Sequence, residues 1–142
     1  MAYPAFTQEW AQAYKDRINE NPRYREAARN WEWPLAFVLE AEPSLGIEED
    51  RAIVLDLYRG ECRDARLATR DELDGVPYVI SADAYTWKQV VDGRLDPLAA
   101  MLRGKLKIVK GNMAVLAGYV TAAKELVNSA QQVETEFPEG VA

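Results

Sequence analysis

The sequence predicts an α+β fold in which a five-stranded sheet is covered by helices on one face. Apolar residues recur at four-residue steps near both ends of the chain, as on the buried side of a helix. Between them, apolar and polar residues alternate, as along half-buried strands. The predicted order is two helices, three strands in hairpin sequence, a fourth strand, two short helices, a fifth strand and a long helix. Helices segregated from a run of strands in this way are typical of the α+β class.

Length and composition predict one globular domain that spans residues 1–142. Hydrophobic residues make up 49% of the chain and charged residues 28%, as in an ordinary soluble domain. The single cysteine, Cys62, cannot form a disulfide within the chain. Residues 1–12 resemble no secretion signal, and the longest uncharged stretch, 111–123, is shorter than the ~20 apolar residues of a membrane span. We therefore expect a cytoplasmic protein.

The sequence contains no histidine, which excludes Ser-His-Asp and Cys-His catalysis and histidine-ligated metal sites. The net charge of −6 argues against binding to nucleic acid through its phosphates. Residues 88–110, however, contain six basic and two acidic side chains. We expect no metal, no cofactor and no nucleic-acid partner, and we note a local basic patch at Arg103, Lys105, Lys107 and Lys110.

Two short helices are predicted in the N-terminal segment 1–33. Thr7 is placed to cap the first helix, and Asn21 and Pro22 to begin the second, which Pro34 prevents from continuing. The predicted buried residues are Trp10, Tyr14 and Ile18 in the first helix and Tyr24, Ala27, Ala28 and Trp31 in the second.

The first four predicted strands cover residues 35–42, 52–58, 62–69 and 78–80. The first is expected to have one buried and one wetter face. A hairpin turn at residues 59–61 leads into the third, which is rich in charge and predicted to be a sheet edge. Residues 71–75 are predicted to form a loop.

The C-terminal half begins with two short predicted helices. Ser81 is placed to cap the first, and Asp96 with Pro97 begins the second, which ends at Gly104. A fifth strand is predicted over residues 105–108. Asn112 is placed to cap a final helix that reaches about residue 134.

The final helix and the tail carry two further expectations. Residues 113–123 are apolar on every side of the predicted helix, which is typical of a segment enclosed by protein. Residues 135–142 are predicted to form a loose acidic tail.

Four motifs in the second half of the chain point to a known family. They are YVIS at 78–81, GRLDP at 93–97, MLRGKLKI at 101–108 and GN at 111–112. With these motifs the chain resembles the sterol-carrier-protein-type-two lipid-transfer domain over about residues 35–126. The family usually has one residue fewer between the glycines of the last two motifs. The extra residue implies a bulge near Val109 and Lys110.

The resemblance implies a mixed five-stranded sheet with an apolar tunnel between sheet and helices, and no catalytic residues. The implied ligands are hydrophobic small molecules such as a fatty acid, an acyl-CoA, a sterol-like molecule or a quinone. The residues predicted to line the tunnel are Trp87, Val91, Leu98, Met101, Leu102, Ile108, Met113, Leu116 and Val120. The same residues would also suit a closed core.

The sequence is compatible with three functions. The first is a non-catalytic carrier that delivers its ligand to a partner enzyme or through transient contact with a membrane. The second is an accessory subunit of an enzyme acting on hydrophobic substrates, with a vestigial pocket. The third is an enzyme that uses an acid pair drawn from Glu40 and Glu42 on one strand and Asp56 opposite them.

Two local features have both a functional and an ordinary interpretation. The basic patch could attract an anionic headgroup, or it could be the solvated face of a strand. Cys62 lies near Arg59 and beside Arg63, which could lower the pKa of its thiol, or it could be a small residue at the start of a strand.

Overall fold

The computed structural model describes residues 2–141, so Met1 and Ala142, the ends of the predicted domain and tail, lie outside it. The strands are β1 Tyr3–Pro4, β2 Leu35–Leu39, β3 Arg51–Tyr58, β4 Glu61–Ala68, β5 Tyr78–Ala82, β6 Lys107–Lys110 and β7 Thr135–Glu136. The helices are α1 Gln8–Asn19, α2 Pro22–Ala27, α3 Arg70–Asp74, α4 Ala84–Val91, α5 Pro97–Leu102, α6 Met113–Ala117 and α7 Val120–Gln131.

Five strands form a mixed sheet in the order β4-β3-β2-β5-β6, which confirms the predicted fold class. The central strand β2 is antiparallel to β3 and parallel to β5. The charge-rich strand β4 lies at one edge, as predicted, and β6 lies at the other.

Both faces of the sheet are covered, but very unequally. On one face, side chains such as Leu39, Ile53 and Leu55 pack against α1, α2 and α4–α7 in the main core. On the other face, a smaller apolar cluster includes Val38 and Val54, and Leu73 of α3 packs against it. The prediction of a wetter face on the first strand was therefore wrong, because Leu73 and Val76 cover it and apolar side chains of β3 and β5 lie beside it.

The N-terminal helices begin where the sequence predicts. The Thr7 hydroxyl accepts a hydrogen bond from the Trp10 amide, and the Asn21 side chain accepts from the first turn of α2. However, α2 ends at Ala27, so Trp31 does not share its buried face. The Trp31 carbonyl instead accepts a hydrogen bond of 2.6 Å from the amide of Arg59 in the β3–β4 turn.

The β3–β4 hairpin turns at Arg59 and Gly60, which have φ angles of 51° and 87°. Two consecutive positive φ angles are those of the tight turn whose twist matches a hairpin. At the opposite edge, Ile108 pairs with Ile80 and Lys110 pairs with Val79, so Val109 is the extra residue. The predicted bulge is confirmed, although β6 begins two residues later than expected.

Two local predictions, the loop at residues 71–75 and the Ser81 cap, were wrong because the capping hydrogen bonds are made by other residues. Residues 71–75 are mostly helical, since Thr69 and Glu72 form a capping box at the start of α3. Asp83, not Ser81, caps α4 by accepting a hydrogen bond of 2.9 Å from the Thr86 amide. Ser81 lies within β5, and its hydroxyl donates to Glu40.

The predicted final helix is divided into α6 and α7 at Gly118 and Tyr119. Glycine has a low helix propensity, and the break lets the Tyr119 ring pack edge-on against Trp31, with ring centroids 4.9 Å apart. The first half is not enclosed as predicted: every residue of α6 is half-buried or exposed.

The expected loose tail is attached at its beginning. β7 pairs with β1, and the Ala5 amide donates to the carbonyl of Glu136. The side chain of Phe137 is half-buried against the main core.

Within residues 2–141, no helix has the length and apolar character needed to cross a membrane.

Candidate functional site

The candidate site is an apolar cavity between the sheet and the helices. Its volume is about 90 Å³. None of its lining residues is charged. They are Phe6, Trp10, Tyr14, Tyr24, Trp31, Leu35, Phe37, Leu57, Ile80, Trp87, Val90, Val91, Pro97, Met101, Leu106, Leu116, Tyr119, Ala122, Ala123, Leu126, Val127 and Ala130.

Six of the lining side chains carry a hydrogen-bonding group, and five of these groups are bonded to the protein. Pairing within the protein lets the aromatic rings face the cavity while their polar atoms are satisfied. The bonded pairs are Trp10 Nε1 to Thr135 Oγ1 (2.9 Å), Tyr14 Oη to the Leu126 carbonyl (2.9 Å), Trp31 Nε1 to the Trp33 carbonyl (2.7 Å), Trp87 Nε1 to the Val38 carbonyl (2.9 Å) and Tyr119 Oη to the Asn30 carbonyl (3.4 Å).

Ring packing holds several of these aromatic side chains in place. Phe6 stacks on Trp10 with centroids 5.0 Å apart and also contacts Trp87 at 5.4 Å. Phe37 of β2 meets Trp87 edge-on at 5.3 Å. Because these contacts link the N-terminal segment, α4 and the sheet, the wall of the cavity is assembled from distant parts of the chain.

The structure brings four of the nine predicted tunnel residues into the lining: Trp87, Val91, Met101 and Leu116. The other five, Leu98, Leu102, Ile108, Met113 and Val120, do not line the cavity. Four of them are half-buried, whereas Leu102 is 72% exposed. A binding role for any of the nine stays a prediction.

The neighbours Met101 and Leu102 differ because successive residues of a helix point about 100° apart. Met101 faces inward at the end of α5, and Leu102 faces solvent. The sequence expectation treated both as one apolar group.

Seven of the eighteen lining residues missed by the sequence analysis lie in the N-terminal third. Trp10, Tyr14 and Tyr24 were predicted to be buried, but not to line a ligand site. The four-residue spacing of Trp10 and Tyr14 on α1 and the position of Tyr24 on α2 indicate only that these side chains are buried. Nothing in the local pattern shows that these helices cover the cavity rather than a filled core.

The candidate acid pair is not assembled. Glu40 accepts hydrogen bonds from Ser81 and from Lys107 at 2.8 and 3.0 Å, and Asp56 forms an ion pair with Arg63 at 3.0 Å. The backbone of Glu42 exchanges two hydrogen bonds with the backbone of Ile47, outside the strands of the sheet.

Cys62 lies buried at the start of β4. Burial raises the pKa of its thiol to about 12, and nearby Asp56 adds to the rise, while Lys15 opposes it. The idea of a lowered pKa was therefore wrong, since desolvation of the thiol outweighs the attraction of Lys15.

The basic patch is only partly free. Lys105 and Lys107 are exposed, but Lys107 is paired with Glu40. The ammonium group of Lys110 donates to the carbonyls of Leu73 and Asp74, both at 2.9 Å, and so fastens the end of α3 to β6.

Comparison with known proteins gives consistent matches. The model of the SCP-2 sterol transfer family matches residues 11–124. A crystal structure of sterol carrier protein 2 is 43% identical, covers 91% of this chain and 98% of its own, and has a TM-score of 0.84. The solution structure of a conserved hypothetical protein from Thermus thermophilus is 41% identical, with coverages of 96% and 94% and a TM-score of 0.84.

More distant structures share the fold alone. One is the apo form of sterol carrier protein 2 from Yarrowia lipolytica, 18% identical, with coverages of 85% and 88% and a TM-score of 0.59. No curated protein matches the chain significantly.

Proposed function

Because this chain belongs to the SCP-2 sterol transfer family, we propose that it binds hydrophobic small molecules in the cavity between sheet and helices and carries them unchanged. The single observation that carries the proposal is the uncharged, aromatic-rich lining of that cavity. A lining of this kind is suited to an apolar body with few polar groups. The candidate ligand classes are fatty acyl chains, including acyl-CoA, sterol-like molecules and quinones.

The size of the cavity limits what it can hold as it stands. Ligand pockets typically have roughly 300–1,000 Å³, and a cavity of about 150 Å³ accepts benzene. With about 90 Å³, this cavity as it stands holds only part of a ring system or of a chain. Uptake of a long acyl chain would require the wall to move outward.

The part of the wall best suited to move is formed by α5 and α6. Met101 and Leu116 line the cavity from these helices but are only half-buried, whereas Trp10 and Tyr14 on α1 are 2% exposed. Short helices with little buried surface cost less to displace than α1. We propose that ligand enters between α5 and α6.

We propose that the protein acts without catalysis and in the cytoplasm. Glu40 is bonded to Ser81 and Asp56 is paired with Arg63, so the two carboxylates do not form an acid pair; this supports a non-catalytic role. After release from the cavity, the ligand would pass to a partner enzyme or to a membrane.

Displacement of a fluorescent fatty acid tests the proposal directly. A chain of ~10 buried methylenes contributes roughly 8 kcal/mol before the costs of association, so we expect saturable binding no tighter than the micromolar range. Absence of saturable binding by folded protein, up to the solubility limit of the probe, would contradict a carrier function.

The small cavity volume favours one alternative function, an accessory subunit with a vestigial pocket. The two functions differ in what accompanies the protein from its native host. A carrier yields a lipid on organic extraction, identified by mass spectrometry. An accessory subunit yields a stoichiometric partner enzyme and no lipid.

A further inference from the structure

The hydroxyl of Tyr24 is the exception among the polar groups of the cavity lining. Tyr24 lies on α2 and is 1% exposed. Its backbone amide is bonded to Asn21, but no residue between 2 and 141 accepts from or donates to its hydroxyl. The hydroxyls of Tyr14 and Tyr119, by contrast, both donate to backbone carbonyls.

This hydroxyl is in contact with open space. Among the described residues, no side-chain nitrogen or oxygen atom is both completely sealed and unpartnered. Since the Tyr24 hydroxyl has no partner, it must keep some accessible surface. The whole residue retains only 1%, so that surface lies at the hydroxyl end. Because Tyr24 is a lining residue of the cavity, we infer that its hydroxyl faces the cavity.

The hydroxyl lies at the end of the cavity that is remote from α5 and α6. Tyr24 is close enough to Cys62, at the start of the edge strand β4, to interact electrostatically with it. The lining residue Leu106 directly precedes β6 at the opposite edge of the sheet, and its amide is bonded to the carbonyl of Ala100 in α5. A ligand that enters between α5 and α6 would therefore reach Tyr24 with its leading end.

The phenol is fixed in its protonated form. Burial raises the pKa of Tyr24 above its ordinary value of 10.0. A protonated phenol both donates and accepts a hydrogen bond. It can therefore satisfy one uncharged oxygen of a ligand, whether alcohol, ketone or quinone.

We propose that the Tyr24 hydroxyl is the polar anchor of the cavity and selects neutral ligands that carry a hydrogen-bonding oxygen at one end of an apolar body. This inference rests on the proposed function and specifies its ligand class. An anionic carboxylate is disfavoured at this position, because no charged residue lines the cavity to compensate its burial. A fatty acid would therefore bind with its carboxylate at the entrance between α5 and α6 and without a bond to Tyr24.

Three probes with the same ring system test the anchor: naphthalene, 2-naphthol and 2-naphthoate. They differ only in carrying a hydrogen, a hydroxyl or a carboxylate. Equilibrium dialysis at pH 7 gives their dissociation constants for the wild type, for Tyr24→Phe and for the matched control Tyr14→Phe. Tyr14 is a suitable control because its hydroxyl also lies on a lining residue but is bonded to Leu126.

We expect the wild type to bind 2-naphthol more tightly than naphthalene, and both more tightly than 2-naphthoate. Tyr24→Phe should lose about fivefold in affinity for 2-naphthol, the factor for one net hydrogen bond, and bind naphthalene as before. In Tyr14→Phe the ratio of the two affinities should stay at the wild-type value. Tyr24→Phe should also fold with at least wild-type melting temperature, since it removes no bond within the protein.

Two results would overturn the anchor. If Tyr24→Phe leaves the ratio of the 2-naphthol and naphthalene affinities unchanged, the hydroxyl does not contact the ligand, while the carrier function stands. If the folded wild type binds none of the three probes but binds the fluorescent fatty acid, the anchor fails and the carrier function stands; if it binds neither, both fail.

Discussion

The side chain of Asn19 and the backbone of Cys62 exchange two hydrogen bonds. The Asn19 amide nitrogen donates to the Cys62 carbonyl at 2.9 Å, and the Cys62 amide donates to Asn19 Oδ1 at 2.8 Å. The asparagine thus pairs with the edge strand β4 as the peptide group of a further strand would. Gln8 and Gln12 continue this pattern by bonding Leu67 and Ala65. Side-chain amides of α1 therefore occupy the outer edge of the sheet, which would otherwise be open to pairing with another chain.

Asn19→Ala should lower the free energy of unfolding by about 2 kcal/mol, because it removes two bonds and leaves two backbone groups of Cys62 unpaired. Urea denaturation measures the loss. Gln12→Ala is the matched control, since it removes one bond from an exposed residue of the same helix and should cost about 1 kcal/mol or less. Equal losses in the two variants would show that the reciprocal pair has no special weight.

Gly60→Ala should be more destabilising than Gly46→Ala, although both glycines have positive φ angles, of 87° and 82°. A Cβ at Gly60 would lie 2.4 Å from the Arg25 carbonyl oxygen, whereas a Cβ at Gly46 would meet nothing within 4 Å. Gly46→Ala should lower the free energy of unfolding by only ~1–2 kcal/mol, the strain of an alanine in the left-handed conformation. Gly60→Ala should cost clearly more, because α2 must separate from the hairpin.

Thermal denaturation checks this difference. If the two variants lose the same stability, the contact between Arg25 and the turn is not close enough to matter.

The melting temperature should fall as the pH rises above about 9. The pKa of Cys62 is about 12 in the folded protein and near 9.0 in the unfolded chain, so only the unfolded chain releases this proton between those values. Stability is therefore fully present below pH 9 and is lost as the pH approaches 12. Tyr14 and Tyr24 act in the same direction, but from about pH 10, since their pKa values are also raised by burial.

Cys62→Ser isolates the contribution of the thiol, because the hydroxyl does not ionise in this range. Its melting temperature should be less sensitive than that of the wild type between pH 9 and 10. Identical pH profiles would assign the alkaline loss of stability to other groups.

Met101→Trp should keep or raise the melting temperature and abolish uptake of the fluorescent fatty acid. The larger side chain has space in the cavity, and it would occupy the volume that a ligand needs. Leu102→Trp is the control, because its neighbouring position is 72% exposed and outside the lining. It should change neither property. Loss of several degrees in Met101→Trp would instead indicate a filled core.

Replacing Lys105 and Lys107 together by glutamate should leave the fold intact, since exposed charges contribute ~0–1 kcal/mol each. The double variant also loses the ion pair with Glu40. If the patch attracts a membrane, sedimentation with anionic vesicles at low salt should decrease, and its salt dependence should weaken. Unchanged sedimentation would leave the patch as an ordinary solvated surface.

Features that depend on neighbouring residues could be predicted from the sequence. The Thr7 cap, the Asn21–Pro22 start of α2 and the turn at Gly60 follow from local backbone chemistry. The bulge at Val109 followed from one extra residue relative to a family motif. The capping box at the start of α3 is equally local, since Thr69 and Glu72 have the spacing that defines it, but the predicted loop did not include it.

Only the tertiary structure decided which buried residues face open space. Trp10 and Tyr24 have the same pattern as any core residue of an amphipathic helix, and Met101 and Leu102 are equally apolar neighbours. Their roles differ because α1 packs against β4 and α2 against α7, more than thirty residues away along the chain, and because a bend at Gly118 turns Tyr119 towards Trp31. Local periodicity records that a side chain avoids water, but the space beside it depends on how distant elements pack.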